Sequence, residues 1–149
     1  MDATGRITIT LPAGWRATGA GWDGRRDTSG AREPALAVSP APDRWKTDPV
    51  VPGAFIGLSR EMARRTTPAA FVAGQPHAGC TAAPVRTSRQ AGIEWVVALY
   101  SSCPGAKTVI VETAGVGPGD AGLVYVQIAP PAGSGPAFVD TLLAGVRVR

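Results

Sequence analysis

Residues 92–130 constrain the fold more than any other part of the chain. They contain three segments rich in β-branched and aromatic residues, at 93–101, 107–114 and 123–129. Short connections rich in Gly and Pro separate these segments, a pattern typical of strands joined by tight turns. Because connections this short leave no room for a crossover, we expect the three strands to form an antiparallel meander.

Both faces of the predicted meander are apolar. In the first strand Trp95 lies on one side and Tyr100 on the other, each with apolar neighbours at alternate positions. Successive residues of a strand point to opposite faces, so a sheet with one wet face would show a polar side. We therefore expect helices to cover both faces, with Trp95 beneath one helix and Tyr100 beneath another.

The clearest helical pattern lies near the C terminus. Ser134 is the predicted N-cap, and Pro136 lies in the first turn, where its missing N–H costs nothing. Apolar residues then recur on one helical face, at Phe138, Val139, Leu142, Leu143 and Val146. A shorter helix is predicted after Thr67, which precedes Pro68, and Gly74 is its predicted end.

Further strands are predicted on both sides of the meander, at residues 6–11, 34–39, 53–59, 85–90 and 146–148. A turn at Ala91 and Gly92 would pair segment 85–90 with the first meander strand. Residues 41–47 predict one or two helical turns anchored by Trp45. Together these elements predict an α+β fold, an antiparallel sheet of about six to seven strands with helices on both faces.

The length of the chain bounds its organisation. Its 149 residues suit one domain with a proper core. Met1 to Gly5 lack the basic start and apolar stretch of a signal peptide. Because a strand pattern begins at Arg6, we expect the natural chain to extend upstream, so that residues 1–149 form a single domain of a longer chain. No apolar run is long enough to span a bilayer, and we expect no membrane insertion by this domain.

The net charge of +4 comes from 13 Arg and 2 Lys against 11 acidic residues. No run of five or six like charges occurs, and basic residues do not interleave regularly with aromatic ones. A nucleic-acid-binding surface would be expected to show such a run or such interleaving. We therefore interpret the charge as a solvated basic surface and expect no nucleic-acid partner.

Two cysteines, Cys80 and Cys103, are the whole thiol inventory. Both lie in predicted loops beside the meander. An even count in loops favours one disulfide, formed in an oxidising compartment. The alternative is two unrelated free cysteines in a cytosolic protein.

Catalytic patterns are weak. His77 is the only histidine, so a Ser-His-Asp or Cys-His arrangement would have to include it, and the nearest candidate partner is Cys80. We interpret His77 as an exposed loop histidine. One His and two Cys fall short of a zinc ligand set. Glu94 and Glu112 lie within strands and are interpreted as solvated or hydrogen-bonded carboxylates. We expect no catalytic residues, metal or cofactor.

Residues 16–34 predict a long surface loop, because Trp22 is their single large apolar residue. Gly19 to Gly24 fit the G-x-G-x-x-G pattern, but no helix follows, as a dinucleotide site would require. The loop combines Trp22 with Arg25, Arg26 and Arg32. Exposed Trp and Arg side chains suit an acidic or glycan-like partner, with Arg16 nearby. The alternative is a disordered loop whose Trp22 folds back against a sheet edge.

Several landmarks occur in a specific order along nearly the whole chain: segments 7–15, 34–40 and 51–55, then Cys80, Tyr100 and Cys103, then segments 108–112 and 124–128. Together they resemble the extracytoplasmic domains fused to serine/threonine kinases and secreted serine proteases of actinobacteria, which are similar to the PsbP/Mog1 group. The resemblance implies an antiparallel sheet sandwiched by helices, the Cys80–Cys103 disulfide and a location outside the cytoplasm. It carries no established binding residues.

Two classes of function follow. The first is a non-catalytic extracytoplasmic binding, sensor or accessory domain that recognises a protein or a cell-envelope component. The second is a small secreted hydrolase or other enzyme on an unfamiliar template. A kinase or protease domain upstream of Met1 would favour the first class, and a bound ligand in a short complete protein would favour the second.

Overall fold

The computed structural model describes residues 4–75, 77–105 and 107–149. The strands are β1 (Ile7–Ile9), β2 (Arg16–Arg26), β3 (Arg32–Ser39), β4 (Gly53–Ser59), β5 (Thr81–Ala82), β6 (Arg86–Gln90), β7 (Ile93–Ser101), β8 (Val109–Val116), β9 (Leu123–Ala129) and β10 (Val146–Val148). The helices are α1 (Arg60–Arg65), α2 (Pro68–Ala73) and α3 (Pro136–Ala144). The fold is mixed α+β and mostly antiparallel sheet.

Eight of the described strands form one sheet in the order β2-β3-β4-β9-β8-β7-β5, with β6 also paired to β7. β1 and β10 form a separate two-stranded antiparallel pair. Neighbours β6, β7, β8 and β9 pair in sequence order and antiparallel, so the predicted four-strand meander is confirmed. The sheet contains β2 and β5, which were not predicted, whereas the strands predicted at 6–11 and 146–148 form the separate pair β1 and β10.

The prediction of a loop over residues 16–34 is wrong. β2 and β3 form a long hairpin, paired from Arg16 with Ser39 to Arg26 with Arg32, with an irregularity after Gly21. Asp27 closes the turn, since its backbone N–H donates to the carbonyl of Ala31 at 2.9 Å. β2 was not predicted because Gly, Ala and Thr make up much of it. The strand lies at the edge of the sheet and therefore needs few large apolar residues.

The core divides between the two faces of the sheet. On one face Trp95 is fully buried in a large cluster that includes Leu142 and Leu143 of α3. On the other, Tyr100 packs against a second cluster that includes Phe71 of α2. Trp95 and Tyr100 therefore lie on opposite faces of β7, as the alternation along the strand predicts.

The helix ends follow local sequence rules with one exception. The hydroxyl of Thr67 accepts the Ala70 N–H at 3.2 Å and caps α2, and Gly74 ends that helix, as predicted. The predicted cap of α3 is wrong: Gly135 occupies the N-cap position, and Ser134 donates to the Pro131 carbonyl at 2.6 Å. α1 was not predicted.

Cys80 and Cys103 form a disulfide, as the sequence predicts, and tie the segment before β5 to the β7–β8 connection. The β7–β8 connection includes Ala106, which lies outside the described residues. Met1, from which we expect the natural chain to extend upstream, also lies outside them. β8 begins two residues later than predicted, because Lys107 is buried and donates to the carbonyls of Asp48 and Val51. No helix among the described residues is long and apolar enough to cross a membrane.

Candidate functional site

An aromatic cluster on the α2 side of the sheet holds the distal half of the β2–β3 hairpin. Trp22 stacks on Tyr125 with ring centroids 5.8 Å apart, and makes edge contacts with Phe55 at 6.0 Å and Phe71 at 6.2 Å. Gly57 lies beneath the indole, where a Cβ atom would approach Trp22 Cε3 to 2.6 Å. Trp22 is only 8% exposed, so its interpretation as an exposed stacking surface is wrong; the alternative, that Trp22 folds back against the sheet, describes its position, although the segment is an ordered hairpin. Trp22 anchors the hairpin instead.

The predicted arginines surround this anchor. The Arg25 guanidinium lies 5.7 Å from the Trp22 ring centroid and 5.9 Å from that of Phe71, which is within the range of cation–π attraction. Arg26 donates to the carbonyl of Gly30 at 2.8 Å across the turn.

Two further predicted arginines differ in their surroundings. Arg32 pairs with Asp23 at 3.3 Å, but both side chains are mostly exposed, so the pair contributes little stability. Arg16 lies at the opposite end of β2, paired with Ser39 in the β2–β3 ladder. The structure therefore gathers Trp22, Arg25, Arg26 and Arg32 at the hairpin's distal end and separates Arg16 from them.

A cleft of about 300 Å³ lies between the hairpin turn and α1. We call it the hairpin cleft; its lining residues are Gly24, Arg25, Arg26, Asp27, Thr28, Glu33, Ser59, Glu61, Met62 and Arg65. Its volume lies at the small end of the range for ligand pockets. The cleft is mixed in charge, with three arginines and three carboxylates in its wall.

The three carboxylates of the hairpin cleft differ in their hydrogen-bond and ion-pair partners. Asp27 accepts N–H groups from Ser29 and Ala31 and the Ser29 hydroxyl, and the hydroxyl bond holds the pKa of Asp27 below its usual value. Glu61 pairs with Arg65 at 2.9 Å. Glu33 is 3% exposed, yet among the described residues no hydrogen bond or ion pair reaches it.

A second cleft of about 360 Å³ lies on the other side of Trp22. Its lining residues are Gly21, Trp22, Asp23, Arg32, Ala37, Lys46, Phe55 and Gln127. Lys46 Nζ lies 5.4 Å from the Phe55 ring centroid. The exposed Arg32–Asp23 pair and this lysine make its rim polar.

Sequence reasoning missed a buried polar network beneath the aromatic cluster. Glu112 is completely buried and accepts hydrogen bonds from the Tyr125 hydroxyl and from Gln127 Nε2, the latter at 2.8 Å. His77 Nε2 lies 2.7 Å from Glu112 Oε2, the oxygen that also accepts from Gln127, whereas the Tyr125 hydroxyl donates to Oε1. Burial, followed by the negative charge of Glu112, raises the pKa of Tyr125 well above 10. Glu112 is thus a hydrogen-bonded strand carboxylate, one of the two interpretations offered above.

The position of His77 corrects its interpretation as an exposed loop histidine. Its side chain is 26% exposed, bonded to Glu112 and packed against Tyr100 with ring centroids 4.9 Å apart. Cys80, its nearest candidate partner in sequence, is bonded to Cys103 and is no nucleophile. The contact between His77 and Glu112 ties the segment after α2 to the sheet.

A signal for this network exists in the sequence. Glu112 and Gln127 are cross-strand partners in the β8–β9 hairpin, so aligning the two strands around their turn would have placed them side by side. His77 had no comparable signal, since it lies 35 residues from Glu112.

The distal end of the hairpin, with the hairpin cleft and the aromatic cluster, is the candidate site. Within the described ranges no group of three or more His, Cys, Asp or Glu is arranged to hold a metal ion. No protein-family model, curated protein or solved structure matches the chain.

Proposed function

We propose that this chain is a non-catalytic binding or sensor domain that acts outside the cytoplasm and recognises an acidic group on a protein or cell-envelope component. The observation that carries the proposal is the placement of Arg25. Its guanidinium is half-buried against two aromatic rings and lines the hairpin cleft, and no carboxylate of the described residues lies within ion-pair distance of it.

An arginine held in this way is suited to anion recognition. Its planar fork can donate two parallel hydrogen bonds to a carboxylate or phosphate. Contact with Trp22 and Phe71 restricts its rotamers before binding, so less side-chain entropy is lost when a ligand arrives. Arg26, at the rim of the same cleft, adds positive charge that attracts an acidic partner.

The proposed location and fold family rest on separate observations. A disulfide between Cys80 and Cys103 is typical of proteins in oxidising compartments. The PsbP/Mog1-like arrangement, with helices over both faces of the sheet, belongs to this proposal. Its support is the division of the core into one cluster with Leu143 of α3 and another with Phe71 of α2.

Defined acidic probes test the binding proposal. Fluorescence anisotropy with labelled deca-glutamate and with labelled polyphosphate would compare the wild-type chain with a variant carrying Arg25→Gln and Arg26→Gln. Hydrogen bonds to charged groups contribute about 1.5–3 kcal/mol each, so binding should weaken by about tenfold or more. Arg89→Gln is the matched control, because Arg89 is exposed on β6 and does not line the cleft.

Two results would contradict the proposal. One is an affinity of the double variant equal to that of wild type. The other is an equal loss of affinity in Arg89→Gln, which would indicate attraction by net charge alone. The melting temperature of Arg89→Gln should stay close to wild type because Arg89 is exposed. That of the double variant should fall by only a few degrees, since a cation–π contact contributes about 0.5–1 kcal/mol.

The second candidate function is hydrolysis, favoured only by the His77–Glu112 pair. The geometry supports it less well, because Glu112 is fully buried and already accepts hydrogen bonds from Tyr125 and Gln127. An assay with p-nitrophenyl acetate and a casein substrate, comparing wild type with His77→Gln, separates the two functions. Turnover by wild type that is lost in His77→Gln would support the hydrolase.

A further inference from the structure

We propose that the hairpin cleft takes a small zwitterion, in which a protonated amine accompanies the acidic group. The ligand class is an amino acid or short peptide with both a free ammonium and a free carboxylate. This inference rests on the proposed function, since it assigns the carboxylate to Arg25. It adds Glu33 as the group that receives the ammonium.

Glu33 is the observation that points to a cation. Of the buried carboxylates in the described part of the chain, Glu112 accepts hydrogen bonds from two neighbours and lies against His77. Glu33 is 3% exposed and lines the cleft; none of the described side chains or N–H groups donates to its carboxylate, and its oxygens keep their solvent contact there. Buried carboxylates in native proteins are nearly always paired or hydrogen-bonded. The carboxylate of Glu33 is open only toward the cleft solvent, so a ligand there can donate to it in place of water.

The neighbouring groups define the cation. Asp27 accepts hydrogen bonds within its own turn and Glu61 pairs with Arg65. No group of three His, Cys, Asp or Glu residues suited to a metal ion occurs in the part of the chain that the structure describes. An ammonium is compact and carries three donors, which suits a single carboxylate. Glu33 and Arg25 line the same cleft without pairing to each other, so each charge remains available to an opposite end of one ligand.

The size of the cleft sets the scale of the ligand. About 300 Å³ accommodates an amino acid or dipeptide but cannot enclose a folded domain. Met62 contributes an apolar surface to the wall. A short chain that ends in an amine and a carboxylate could lie across it.

Blocked dipeptides test the inference on the wild-type chain. Isothermal titration calorimetry at pH 7 would compare glycylglycine, N-acetylglycylglycine and glycylglycinamide. Glycylglycine should bind, and each blocked form should bind at least tenfold more weakly. Glu33→Gln should remove the preference for the free amine and keep the preference for the free carboxylate; Arg25→Gln should do the reverse. Glu94→Gln, an exposed carboxylate on β7, is the control and should bind as wild type does.

The outcomes separate this inference from the proposed function. Equal binding of glycylglycine and its N-acetyl form overturns the zwitterion. Binding of deca-glutamate that depends on Arg25, without binding of glycylglycine, also overturns it and leaves the proposed function standing. Failure of every probe, deca-glutamate included, contradicts both. Because the wild-type comparison of the three dipeptides needs no variant, it remains decisive even if Glu33→Gln folds poorly.

Discussion

Replacing Gly57 by alanine tests whether Trp22 anchors the hairpin. The added Cβ would lie 2.6 Å from Cε3, 2.8 Å from Cδ2 and 2.9 Å from Cζ3 of the indole. Real Cβ atoms do not approach carbon atoms so closely, so the ring must move. Trp22 is itself held by Tyr125, Phe55 and Phe71, and these contacts must loosen as well.

The expected loss of stability follows from overpacking. Inserting a methyl group into a packed core costs about 1–3 kcal/mol. For a chain of this size 1 kcal/mol corresponds to about 2–4 °C, so the melting temperature should fall by about 2–12 °C. Urea unfolding followed by circular dichroism would give the free energy directly.

Gly19→Ala is the matched control. Gly19 lies in the same sheet, on β2, and an added Cβ would meet no atom within 4 Å. The control should change stability by less than about 1 kcal/mol, in either direction. Trp22→Phe in the Gly57→Ala background should recover part of the loss, with a coupling of about 0.5–3 kcal/mol. If Gly57→Ala is as stable as Gly19→Ala, Trp22 does not lie on Gly57 and the described anchor is wrong.

Three further predictions concern the core, the disulfide and the buried network. Leu142→Ala should destabilise the chain by about 2–5 kcal/mol in urea unfolding, since Leu142 packs in the main core; a loss below about 0.5 kcal/mol would mean that α3 is not docked on the sheet. Reduction should add two hydrogens to the intact mass, and Cys103→Ser should cost about 3 kcal/mol, because the Cys80–Cys103 bond closes a loop with a sequence separation of 23; two alkylatable thiols in unreduced protein would contradict it. The raised pKa of Tyr125 means that its protonated form stabilises the fold below pH 10 and that this contribution is lost as the pH rises beyond 10. Wild type should therefore lose more stability than Tyr125→Phe between pH 9 and pH 11 in urea unfolding, and parallel losses would show that the Tyr125 hydroxyl is not buried beside Glu112.

Local sequence was sufficient for the meander. β-branched residues in β7, β8 and β9 favour extended backbone, and the short connections between them leave only antiparallel pairing. The α2 cap at Thr67 is equally local, since it depends on residues within one helical turn. The disulfide followed from cysteine count and loop context together with the family resemblance.

The candidate site was predicted in part. Four residues near the hairpin turn were singled out from composition, and the structure places Arg25 and Arg26 in one cleft and Arg32 in the next. The sequence did not single out Glu33, because burial of a strand carboxylate depends on what lies across from it. Here that is the end of β4 at Ser59 and α1, which follows it directly.

The sequence by itself determined the strands and turns of the meander and the start of α2, because neighbouring residues set backbone preference. Only the tertiary structure determines that Trp22 is buried, because Gly57, 35 residues further on, leaves room for its ring. The same holds for His77 and Glu112, which are also 35 residues apart in sequence and whose side chains lie 2.7 Å apart. Such contacts depend on the packing of strands that are distant in sequence, and the residues adjacent to each partner do not predict them.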